Sequence, residues 1–166
     1  MKDLIEKLSS YNIFNYLLPG IVFVVLAGLM TRYTFVQQDI FIGFFVYYFL
    51  GLVISRFGSL VIEPFLKWCS FLKFAEYKDF VIASKADEKL DVLSEVNNMY
   101  RTLSSLFILL CLLKIYELVE ASIPGLKEWG GVSIVVLLLI MFLVAYRKQT
   151  AYITKRIVAI NESNKP

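Results

Sequence analysis

Ile13–Met30 reads IFNYLLPGIVFVVLAGLM, a run without a single charged residue. A helix needs about 20 mostly apolar residues to cross a hydrocarbon core of roughly 30 Å. This stretch meets that requirement almost unaided, and it does not stand alone. Ile40–Ile54, Leu103–Val119 and Val132–Tyr146 are three further apolar blocks, each of spanning length once flanking Gly, Thr, Phe and Tyr residues are counted. The expected spans are therefore about 13–31, 39–56, 102–119 and 130–147. The chain is 58% hydrophobic, and its mean hydropathy is +0.68. A soluble domain runs nearer half apolar. Its 166 residues leave room for one domain, 1–166. The fold class is all-α: an integral membrane protein of four transmembrane helices. No block reads as a cleaved leader, since Thr31 and Arg32 follow the first where small residues would be needed.

Charge orients these spans. Of the 17 Lys and Arg residues, only Arg32 and Lys127 fall on one side, and Lys114 lies inside the third block. All the others sit in segments 1–12, 55–101 and 147–166. Basic loops stay cytoplasmic. The expected topology places both termini and the central segment on the cytoplasmic side of a bacterial inner membrane, with short connections on the other side. Tyr11, Tyr16, Trp68, Tyr146 and Tyr152 then fall near inner boundaries, and Tyr33 and Trp129 near outer ones. That is the aromatic belt of a membrane protein.

The inner segments look helical. Asp3–Leu8 places Leu4, Ile5 and Leu8 on one face, the pattern of a short interfacial helix. Pro19-Gly20 should start or kink the first span. Pro64 suits a first helical position, and Phe65, Leu66, Trp68, Cys69, Phe71, Leu72 and Phe74 would give the helix after it a wide apolar face. Such a helix belongs in the membrane interface or against another subunit. Ser84 or Asp87 can cap the next helix. From there Leu90, Leu93, Val96, Tyr100 and Leu103 recur at helical spacing into the third span. A single helix of about 88–119 is expected. Tyr152, Ile153, Ile157 and Ile160 carry the fourth span inward in the same way, as an extension over 148–160. Together with segment 57–101 they would build a helical cytoplasmic layer. Asn161–Pro166 reads as a disordered tail.

Enzyme classes find little support. There is no histidine, no Gly-rich phosphate loop and no acidic metal motif within a span. Asp87, Glu88 and Asp91 are interleaved with Lys85 and Lys89, as on an ordinary solvated helix. Cys69 and Cys111 are far apart in apolar surroundings and read as reduced packing residues. No catalytic residue, metal or cofactor is expected.

The remaining candidates concern charge and polarity within the spans. Lys114 either snorkels outward and pairs with Glu117, or serves a pore. Asn98, Thr102 and Ser105 share one face of the third span, with Asn97, Arg101 and Ser104 beside it. Such a face either packs helix to helix or lines water, which makes Asn98, Thr102, Ser104 and Ser105 the candidate pore lining. The inner cations are explained by anionic lipid or by a phosphate-bearing ligand. For the second, the candidate binding residues are Lys67, Lys73, Lys78, Lys85, Lys89, Arg101, Arg147 and Lys148, with Tyr100 to stack a base.

The opening Leu8–Gly20 (LSSYNIFNYLLPG), the four spans and the inner strings Lys85–Leu90 (KADEKL) and Asn97–Thr102 (NNMYRT) resemble small membrane components of bacterial anti-phage defence. The nearest resemblance is to the DNA-gated channel effector of the Hailong system, and the next is to the Kiwa membrane subunit. The resemblance implies a homotetramer in the inner membrane. It would open on an oligonucleotide or cyclic nucleotide signal made by a partner nucleotidyltransferase, and would depolarise the infected cell. The alternative is a membrane scaffold or sensor that recruits a soluble defence protein.

Overall fold

The computed structural model describes residues 13–123 and 125–163, so the expected interfacial helix at Asp3–Leu8 lies outside the described residues, as do Tyr11 and the last three residues. The described chain is helical, without a strand among the described residues. Among the described residues, four helices are long and apolar enough to cross a membrane: Ile13–Met30, Ile40–Trp68, Lys89–Ser122 and Leu126–Asn161.

The first opens as a π-helical turn, Ile13–Leu17, and continues as α1, Leu18–Met30. Pro19 lies in the first turn of α1. Its missing N–H cannot bond back along the helix, and a widened turn before it absorbs the ring. The Pro19-Gly20 pair therefore starts the α-helix. The second helix begins as α2, Ile40–Phe57, where the Asp39 carboxylate accepts the N–H groups of Phe41 and Ile42 at 2.8 and 3.0 Å.

Pro64 lies in the first turn of an α-helix, as expected, but that helix continues the second span rather than standing apart from it. α2 runs through a second π turn, Gly58–Ile62, into α3, Glu63–Trp68, and the Glu63 N–H bonds the Gly58 carbonyl across the widened turn. The expected apolar helix also stops short, at Trp68. Ser70 takes the left-handed conformation at φ 58°, donating its N–H to Lys67 O, while Phe71 donates to Leu66 O. These paired bonds make a Schellman cap, which ends a helix by satisfying its last carbonyls. Residues 71–76 are irregular. α4, Tyr77–Ala86, follows.

The two remaining helices agree with the periodicity. α5 spans Lys89–Ser122, with the Asp87 carboxylate accepting the Lys89 N–H at 2.9 Å. α6 spans Leu126–Ser163 and absorbs the start of the expected disordered tail. Their 34 and 38 residues correspond to about 51 and 57 Å, well beyond a hydrocarbon core of roughly 30 Å.

α1, α2 and α5 make the core, through Phe23, Ala27, Ile54, Leu106 and Leu110. Gly20 and Gly51 permit the closest crossing. A Cβ on Gly20 would fall inside contact with the Tyr47 carbonyl oxygen, and one on Gly51 inside contact with the Tyr16 carbonyl oxygen. α6 stands at the side. No residue in its most apolar stretch is buried. It meets α2 through the stacked rings of Phe49 and Phe142, 6.1 Å apart, and α4 through Tyr77 and Tyr152, 5.7 Å apart.

Candidate functional site

The end of the bundle that carries Arg56, Lys67, Arg101 and Lys148 is organised around one carboxylate. Glu63 is buried. It accepts Arg101 Nη1 at 2.8 Å and Lys67 Nζ at 2.9 Å, and Lys148 Nζ stands 4.0 Å away. Lys148 also donates to the Ser59 carbonyl at 2.6 Å and to Ser59 Oγ at 2.8 Å. Glu63 and Lys67 come from α3, Ser59 from the π turn before it, Arg101 from α5 and Lys148 from α6. The cluster therefore ties three long helices together. Gly58 makes room for it, because a Cβ there would meet the Ser105 hydroxyl.

Deeper in the bundle lies a neutral polar layer. The Thr102 hydroxyl is within hydrogen-bond distance of Asn15 Oδ1 at 3.1 Å, Ser55 Oγ at 3.2 Å and the Asn98 carbonyl at 2.9 Å. Ser105 donates to the Arg101 carbonyl at 2.7 Å. Asn15, Ser55, Thr102 and Ser105 are all buried. A polar group in an apolar interior is costly unless hydrogen-bonded, and these groups satisfy one another or the backbone.

The expected pore set therefore divides. Thr102 and Ser105 are 0% exposed, inside the helix bundle of the single chain. Asn98 is half-buried. Ser104 faces outward, with its hydroxyl on the Tyr100 carbonyl at 2.9 Å. The expected ligand set divides as well. Lys67, Arg101 and Lys148 meet at Glu63. Lys73, Lys78, Lys85, Lys89 and Arg147 are exposed, and Tyr100 is 63% exposed. Cys69 and Cys111 are free and exposed rather than packed.

Arg56 lies beside the cluster. With Ser59, Leu60, Ala145, Lys148, Gln149 and Tyr152 it lines a small open cleft of about 30 Å³. The importance of Glu63, Ser59 and Ser55 was not drawn from the sequence. The available signal was their spacing with Gly51: 51, 55, 59 and 63 recur every four residues, as one helical face does.

A second polar cluster closes the opposite end. Lys114 pairs with Glu117 at 2.6 Å, which is the pairing the sequence offered as one reading of Lys114. Glu117 also accepts the Arg32 N–H at 2.8 Å. Glu120 accepts the Arg32 guanidinium and the Tyr33 hydroxyl. Desolvation and the bond to Glu120 push the Tyr33 phenol above its ordinary range.

No family model, curated protein or solved structure matches this chain.

Proposed function

We propose that this chain is a bacterial inner-membrane protein with its basic end in the cytoplasm. It assembles as a homotetramer and forms a channel of anti-phage defence. A cytoplasmic nucleotide or oligonucleotide opens it and depolarises the infected cell.

One observation carries the assembly. Leu93, Val96 and Tyr100 on α5, and Ile153 and Ile157 on α6, lie beyond the expected spans yet remain exposed. Lipid tails do not reach such positions, and apolar stripes in water favour burial. A neighbouring copy would cover them. The continuity of α5 and α6 supports gating, since a ligand at the basic end would act on helices that themselves cross the membrane. On this reading the pore face is the outward face of α5 at Asn97 and Ser104. Thr102 and Ser105 hold the protomer together behind it.

The test is conduction by the reconstituted protein. With Cys69 and Cys111 replaced by Ser, Ser104→Cys should be blocked by a charged thiol reagent while the open channel conducts. Absence of any current with nucleotide extracts of infected cells would overturn the proposal. A second reading, a scaffold that recruits a soluble protein, draws on Trp68 and Phe71, which are 80% and 76% exposed. A stoichiometric soluble partner without any effect on membrane potential would favour it.

A further inference from the structure

Among the described residues, the charges around Glu63 do not balance. Lys67, Arg101 and Lys148 gather around this one carboxylate, and Arg56 lies beside Lys148. The charges that act on Lys148 are Glu63 in its favour and Arg101, Lys67 and Arg56 against it. Lys67 is partly relieved by solvent, with 42% of its side chain exposed, whereas Arg101 and Lys148 are 22% and 29% exposed. Glu63 already serves Lys67 and Arg101 through hydrogen bonds. Arg56 makes no hydrogen bond or ion pair among the described residues. Arg101 Nε is a buried donor without a partner among them. Partly desolvated cations held together repel strongly unless an anion joins them.

An open space lies beside two of these cations, Arg56 and Lys148. The cleft between Arg56 and Lys148 is walled by Ser59, Gln149 and Tyr152. Lys148 gives two of its three N–H groups to Ser59, and its ion pair with Glu63, at 4.0 Å, is too long to take the third as a hydrogen bond. A planar guanidinium and an ammonium on facing helices suit a tetrahedral oxyanion, which accepts from both.

We propose that the Arg56–Lys148 cleft binds a phosphate group and thereby fastens α6 to α2. The chemistry is shared by a lipid headgroup at the inner boundary and by a free phosphate ester. The site deepens the reading of this end as the one that meets anions, and it does not depend on conduction.

The test uses the full chain in a maltoside detergent, which carries no phosphate. Inorganic phosphate and adenosine monophosphate are added at matched ionic strength, with chloride as the control. Near a hundred times Kd, the melting temperature should rise by about 5–10 °C. In a parallel arm, native mass spectrometry follows phosphatidylglycerol retained from vesicles. A response to the free esters identifies a soluble ligand, and retention of the lipid alone identifies a headgroup.

Arg56→Gln should abolish whichever response the wild type shows. Arg56→Glu places a carboxylate beside Lys148. It should melt higher than Arg56→Gln without phosphate and be indifferent to added phosphate. If the wild type neither shifts nor retains lipid, or if Arg56→Gln responds as the wild type does, the proposal is overturned. A chain that binds phosphate but passes no current would retain this site and lose the channel reading. A chain that conducts but binds no phosphate would do the reverse.

Discussion

Glu63 has 9% of its side chain exposed and stands among cations from three helices. Removing one member of a buried pair leaves the others uncompensated, which costs more than the pair itself contributes. Glu63→Gln keeps the size and deletes the charge. It should lower unfolding stability in detergent by about 3 kcal/mol, the low end for such pairs because Arg101 and Lys148 retain some water. Lys67→Ala should cost less than about 1 kcal/mol, since Lys67 is the exposed partner. Equal losses in the two variants would contradict this ranking. Ser70 is a separate case. Its φ of 58° is strained for any residue with a Cβ. Ser70→Gly should therefore raise the melting temperature, by the equivalent of about 1 kcal/mol. An unchanged or lower value would mean that the serine side chain contributes more than its backbone costs.

Among the elements, the crossing of α1 and α2 is the tightest contact. Each glycine faces a backbone carbonyl of the other strand of the crossing: Gly20 faces Tyr47 and Gly51 faces Tyr16. Backbone cannot move aside as a flexible side chain can, so an added methyl must separate the helices. Gly51→Ala should destabilise by about 2 kcal/mol, read as a lower denaturation midpoint. Gly20→Ala acts on the same crossing. The double variant should therefore cost less than the sum of the two. Additive losses would show that the two sites do not share one interface. The π turns have a related effect. Each lies just before a proline, Pro19 or Pro64, and lets the helix continue where a regular turn would clash.

For the whole molecule, the chain is a three-helix core with α6 at its flank. On the proposed reading, a neighbouring copy covers its exposed stripes beyond the expected spans. Leu93 and Ile157 are 61% and 55% exposed. Leu93→Glu together with Ile157→Glu should convert the assembly to protomers by native mass, with the helical circular dichroism unchanged. Persistence of the tetramer would place its contacts elsewhere. A wild-type protomer by native mass would remove the assembly itself.

Helix was legible from the residues because it is a local property. Apolar length marked the four long helices, and the three-and-four spacing of Leu90, Leu93, Val96 and Tyr100 carried α5 without a break from its start into the apolar block. The Asp87 cap and the Lys114–Glu117 pair were legible for the same reason, since both lie within one turn. The stop at Trp68 was not, because an apolar pattern continued through Phe74 and nothing nearby marked Ser70 as left-handed. Nor was the division of the polar face of α5. Spacing placed Asn98, Thr102 and Ser105 together, but only the packing of Asn15 and Ser55 against Thr102 put the hydroxyls inside the helix bundle. Glu63 illustrates the limit most clearly. In sequence it is one acid before a proline; in the fold, Arg101 and Lys148 arrive from distant helices and make it the anion on which three helices converge. Periodicity records what a residue does along its own helix, and only tertiary structure decides which charges from other helices it must meet.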